Sequence, residues 1–183
     1  MSALETVQCP VLVGRDDVLI LAERRLAETA RGSGHTLLLA GEAGIGKSRV
    51  IGAIRRQARA TGFREIVAEI APQDHDVPAA MLLDLARTMR GTAGFADVGE
   101  AILDRWTAAI SEGGATYSRA FVLDVVDRIR SAIDGPTVLV FEDLQWADDL
   151  SLEAIGELAR RYAARTRRGI DPARPCATGA RGC

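Results

Sequence analysis

The 183-residue sequence predicts an α/β layer structure whose mainly parallel sheet is covered by helices. Three observations lead there. Residues 36–40 (TLLLA) and 137–141 (TVLVF) are short, uninterrupted apolar runs, with the length and character of strands covered on both faces. Between them lie longer stretches whose apolar residues recur at helical spacing. Strands that alternate with helices favour parallel pairing through crossover connections. The length fits one globular domain, or part of a larger one, and leaves no room for two.

Taken in order, residues 11–15 (VLVGR) lead into Asp16 and Asp17, either of which suits the cap of a following helix. Val18, Leu21, Ala22, Leu26 and Ala30 then share one helical face, with Glu23, Arg24, Arg25 and Glu28 outward, until Gly32 and Gly34. The run at 36–40 is the first predicted strand, and residues 41–46 form a glycine-rich loop. Residues 47–60 read as a helix with Val50, Ile51 and Ile54 inward. Residues 65–70 (EIVAEI) are a second strand. Helices are predicted over 79–90, 98–111 and 117–133, the last carrying Phe121, Val122, Val125, Val126 and Ile129. The run at 137–141 is a third buried strand, ending in the acids Glu142 and Asp143. A last helix runs from about Leu150 to Arg165 with Leu152, Ile155 and Leu158 on one face. No internal repeat interrupts this order.

Composition narrows the function classes. With 23 basic and 25 acidic residues the net charge is −2, so no electrostatic case exists for direct nucleic-acid binding by this segment. No apolar run approaches the roughly 20 residues that span a bilayer, and no basic region precedes an apolar stretch at the N-terminus. These features predict a soluble, cytoplasmic chain without a membrane span. Cys9, Cys176 and Cys183 have no paired spacing, and only His35 and His75 add soft ligands, which counts against a zinc site or a disulfide framework. Residues 166–183 are rich in Arg, Gly and Pro, with Ile170 the only large aliphatic. That composition predicts a disordered tail after a domain at 1–165.

The chemistry concentrates in Gly41-Glu42-Ala43-Gly44-Ile45-Gly46-Lys47-Ser48, which fits G-x-x-x-x-G-K-[ST], the phosphate-binding loop. A polyphosphate wrapped by backbone N–H groups needs a chain that bends through glycine conformations, here at Gly41, Gly44 and Gly46. The following helix points its partial positive end at the phosphates through its first residues, Lys47, Ser48 and Arg49. Lys47, the only lysine of the chain, supplies a mobile charge to the β- and γ-phosphates, and the Ser48 hydroxyl suits Mg²⁺. An apolar strand ending in Glu142 and Asp143 is the matching second element, whose carboxylates hold Mg²⁺ and orient an attacking water. Nucleotide and metal are therefore expected as ATP and Mg²⁺.

Together VGR before a helix, GEAGIGKS, and FEDLQWADDLSLE resemble the ATPase module of AAA- and STAND-type P-loop NTPases, most closely the N-terminal ATPase region of large LuxR-type transcriptional regulators. The resemblance covers residues 11 to about 160. It implies that Val13 and Gly14 lie near the adenine, that Glu142 takes the place of the Mg²⁺-associated acid (usually Asp), and that Asp143 polarises the attacking water. It leaves Trp146 open between a site residue and a packing residue.

The resemblance also implies a central sheet strand, carrying a γ-phosphate sensor, between the phosphate-loop strand and the strand that ends at Glu142. Residues 165–183 contain no apolar run to supply it. The sequence thus reads as an incomplete P-loop NTPase domain, truncated after the final helix, from a multidomain signalling or transcription-regulatory ATPase whose further domains act as partners. The alternatives are a catalytically inactive nucleotide-binding or scaffold fragment and a small-molecule kinase. The acidic pair and the absence of an Arg-rich lid argue against the kinase.

Overall fold

The computed structural model describes residues 15–74, 77–111 and 119–165. The expectations for Val13 and Gly14, for the three cysteines and for the tail at 166–183 fall outside those residues.

Helix α1 (Asp16–Ala30) opens without a side-chain cap: Arg15 occupies the cap position. Asp16 and Asp17 instead lie within the first turn, where the positive end of the helix favours acids. Helix α2 (Lys47–Ala60) spans the predicted residues and is followed by strand β1 (Arg64–Glu69). Next come α3 (Ala80–Arg90), α4 (Ala96–Ser111), α5 (Arg119–Ala132), β2 (Thr137–Glu142) and α6 (Asp149–Arg165). Among the described residues no helix is long and apolar enough to cross a membrane.

The two strands pair in parallel, in register from Arg64 opposite Thr137 to Glu69 opposite Glu142. Strand alternation then sorts β1 onto two faces. Ile66, Ala68 and Ile70 are buried in one cluster with Leu82, Leu85 and Met89 of α3, Ile102 of α4, Val122, Val125, Val126 and Ile129 of α5, and Leu158 of α6. Each fully buried aliphatic of this size contributes about 1.5–3 kcal/mol, so the cluster on this face is the main source of stability. On the opposite face Glu65 meets α2, where Arg55 and Arg59 both pair with it. Helix α1 packs on α2.

Two expectations about the sheet change. Residues 36–40 are not a buried strand: they carry no ladder, and Leu38 is 73% exposed. β2 is half-buried throughout rather than buried. Gly34 lies so close to α6 that a Cβ there would sit 2.5 Å from the Tyr162 carbonyl oxygen. That contact holds the segment beside α6 while β2 pairs with β1. A cavity of about 380 Å³ separates residues 34–39 from the free edge of β2. Ladder bonds need strands roughly 5 Å apart, so neither edge can satisfy the other.

Helices on the core face lock through close approach and charge. A Cβ on Gly99 of α4 would meet the Arg90 nitrogen and lie 2.6 Å from the Ala86 carbonyl oxygen of α3. Arg161 of α6 joins Glu157 of its own helix to Asp127 of α5, and Arg160 also pairs with Glu157. Hydrogen bonds from Arg160 and then Arg161 lower the Glu157 carboxyl to about 2.

Gly99→Ala should destabilise the chain by about 1–3 kcal/mol, the usual cost of overpacking against backbone that cannot retreat. Urea unfolding is the measurement, and unchanged stability would place the α3–α4 contact elsewhere. Because the folded value for Glu157 lies below the ordinary 4.5, its stabilisation is complete above that pH and is lost as the pH falls toward 2. Glu157→Gln should therefore be less stable than the parent at neutral pH, with the difference shrinking through that acid range.

Candidate functional site

The glycine loop spans the turn into α2. Gly44 (φ 79°) and Gly46 (φ 91°) adopt left-handed conformations that side-chain-bearing residues avoid, with open space where a Cβ would be. Gly46 stands at the cap of α2, and the Val50 N–H donates to its carbonyl at 3.2 Å, so the helix starts at Lys47 with its first N–H groups at the loop. Lys47 curls back and donates through Nζ to the carbonyls of Gly41 (2.8 Å) and Glu42 (2.9 Å). Residues 41–45 are solvent-exposed, as is Ser48. An exposed, glycine-bent loop at a helix N-terminus, with an ammonium poised over it, fits a polyphosphate.

One residue outside the predicted set holds this loop in place. Arg15, at the start of α1, donates from Nη2 to the Ile45 carbonyl at 3.1 Å. The loop's outer turn is thus tied to the chain segment that precedes the first helix.

The acidic pair sits at the end of β2. Glu142 is half-buried and accepts from Arg55 Nη1 of α2 at 3.3 Å. Asp143 follows in a left-handed conformation (φ 58°), uncommon outside glycine but tolerated by Asp. Its carboxylate is exposed and accepts from Gln145 Nε2 at 2.9 Å. Two successive acids therefore point to different surroundings, one toward α2 and one toward solvent. Lys47, Ser48, Arg55, Glu142 and Asp143 all line the cavity beside β2. Their oxygen donors, a hydroxyl and two carboxylates, are the type a hard cation such as Mg²⁺ takes.

Asp148, farther along that segment, is structural. It stands just before α6 and accepts from the Ala79 N–H at 2.9 Å and from the Ser151 hydroxyl. Ser151, which is buried, in turn accepts from the Met81 N–H at 3.3 Å, so this pair joins the starts of α3 and α6. Trp146 is 40% exposed on the short turn at Leu144–Trp146 and does not enter the core.

Arg55 and Arg15 were not marked by the sequence. Arg55 has one readable signal: it stands seven residues after Ser48, two turns along the same helix face. Its partner Glu142 lies 87 residues away, and only the fold brings them together.

Comparison with known proteins follows the same line. The family model described as "AAA ATPase domain" matches residues 11–169. An uncharacterized protein of Rhizobium meliloti (strain 1021) is 26% identical over 83% of this chain, which spans 17% of that relative's length. No solved structure matches significantly.

Asp148→Ala should lower stability by about 1–2 kcal/mol, because the bonds from the Ala79 N–H and the Ser151 hydroxyl are lost together. Denaturant unfolding checks this, and an unchanged midpoint would remove Asp148 from the structural role given to it.

Proposed function

The chain belongs to the AAA ATPase domain family, and from that premise we propose that it is the Mg²⁺-dependent ATP-binding module of a larger signalling or transcription-regulatory ATPase of the STAND, LuxR-type kind. The observation that carries this reading is that Lys47 and Ser48, at the end of the glycine loop, line one cavity with Glu142 and Asp143. Backbone N–H groups of Gly44, Gly46, Lys47 and Ser48 would hold the phosphates. The loop positions Glu42, Ala43 and Ile45 would complete the turn around them, with Arg49 in the first turn of α2, and Val13 and Gly14 would approach the adenine. Lys47 would leave the carbonyls of Gly41 and Glu42 for the β- and γ-phosphates, exchanging two neutral acceptors for charged ones. Ser48 and Glu142 are the proposed Mg²⁺ ligands, with Asp143 at its margin. When bound, Mg²⁺ neutralises phosphate charge and orients the terminal group. Asp143, exposed and bonded to Gln145, is the group we assign to accept a proton from an attacking water.

A specific observation favours binding without efficient turnover by this chain alone. The free edge of β2 faces residues 34–39 across a cavity, where the family resemblance implies a central strand with the γ-phosphate sensor. The reading of residues 1–165 as a partial domain rests on that gap, and further domains of a longer protein are its proposed partners. The same composition that lacks a basic face supports a cytoplasmic setting without direct nucleic-acid contact.

Isothermal titration with Mg·ATP tests the assignment. Lys47→Ala should weaken binding by about 2–5 kcal/mol, the cost of losing one hydrogen-bonded charge contact to the phosphates. Equal affinity in variant and parent would overturn it.

A further inference from the structure

We infer that Arg55 is a positioning residue that holds Glu142 in the metal-free state and competes with Mg²⁺ for its carboxylate. The inference rests on the assignment of Glu142 as a metal ligand.

The geometry begins on α2. Ser48 and Arg55 are seven residues apart, so they share a helix face about 10 Å apart along the axis. Both line the cavity, Ser48 beside the loop and Arg55 two turns farther along α2. Glu142 is longer than the usual Asp by one methylene and reaches the farther of the two, accepting from Arg55 Nη1 at 3.3 Å. Its carboxylate is thereby tied to a residue two turns along α2 from the hydroxyl that would share a cation with it.

Arg55 does not depend on Glu142 for its own place. Its Nε donates to Glu65 of β1, and Arg59 Nη1 also donates to Glu65, at 2.5 Å. The Glu65 side chain is only 11% exposed, so a cation beside it offsets the cost of burying that charge. Arg55 therefore has a permanent anchor in Glu65 and a second, removable partner in Glu142. Arg59 on α2 shares Glu65 with Arg55, Glu69 stands opposite Glu142 in the ladder, and the charged residues Arg25, Lys47 and Asp143 line the same cavity. A guanidinium with two acids can release one of them without becoming unpaired. Lys would hold charge at this place but could not span both carboxylates in one plane.

Two arrangements follow. With no metal, Arg55 bridges Glu65 and Glu142. With Mg²⁺ bound, Glu142 turns to the cation and Arg55 keeps Glu65. Arg55 thus sets how much Mg²⁺ is needed, and returns Glu142 to a neutralised position when the metal leaves. It touches neither nucleotide nor metal.

The test is the Mg²⁺ dependence of nucleotide binding by the full chain, read from the fluorescence of a labelled, non-hydrolysable ATP analogue over a magnesium chloride series. Arg55→Gln should lower the half-effect Mg²⁺ concentration two- to fivefold, the range set by a partly exposed ion pair. Arg55→Lys should fall between variant and parent. Glu65→Gln, which removes the anchor and leaves Arg55 to Glu142 alone, should shift it the opposite way. That second variant keeps the test decisive if Arg55→Gln does not fold. Glu142→Gln checks the underlying reading, since it should abolish most of the dependence. If Glu142→Gln responds but neither Arg55→Gln nor Glu65→Gln moves the half-effect concentration in the stated direction, the role of Arg55 is overturned. If Glu142→Gln has no effect, the metal assignment itself fails, and the role of Arg55 with it.

Discussion

A parallel ladder between two segments 73 residues apart sets the terms for everything else in this chain. Parallel strands cannot be joined by a tight turn, so the connection from β1 to β2 must run through the helices α3, α4 and α5. Those helices bury the face of β1 formed by Ile66, Ala68 and Ile70, and the same ladder carries β2 past α2 on the other face. The register then decides the chemistry. Glu142 arrives opposite Glu69 at the end of the ladder, and the chain breaks there into the left-handed turn at Asp143. A slip of one residue would exchange the faces and send Glu142 into the apolar cluster.

The ladder also explains why the site is open. Each strand has one paired edge, and the second edge of β2 looks across a cavity at residues 34–39. Unpaired main-chain groups at a sheet edge need water, a covering element or another strand. Among the described residues no strand pairs with that edge, β2 is half-buried, and the two apolar side chains Leu37 and Leu38 are exposed. The glycine loop hangs from this segment. Its order comes instead from α2 behind it, from the Lys47 bonds within it and from Arg15 at its outer turn. The loop keeps its shape without the strand because backbone conformation at Gly44 and Gly46 is a local property.

Charge does different work at the two ends of the molecule. The ring of Arg160, Arg161, Glu157 and Asp127 ties α6 to α5 and holds Glu157 ionised well into acid. The cluster of Arg55, Arg59, Glu65 and Glu142 is more buried on its acidic side and includes a residue of the proposed metal site. In the first, each charge has a structural partner only. In the second, one carboxylate has a partner that another cation can replace.

What the sequence determined by itself is local: the helices, whose apolar period shows within one segment, the two paired strands, and the glycine loop with Lys47 and Ser48. The run at 36–40 shows the limit of that kind of reading. Its five residues have strand composition, but a strand exists only when a neighbour supplies the other half of each hydrogen bond, and Gly34 packed on Tyr162 places it beside α6 instead. Composition was equally silent on Asp148, which looks like one acid among several and joins α6 to the backbone of Ala79. The partner of Glu142 could not be read either, because Arg55 meets it across 87 residues of chain. Local conformation is set by bonds and contacts within a few residues, and those are written in order along the chain. Pairing across a ladder and between helices is set by which segments the core brings within a few ångströms, and only the tertiary structure decides that.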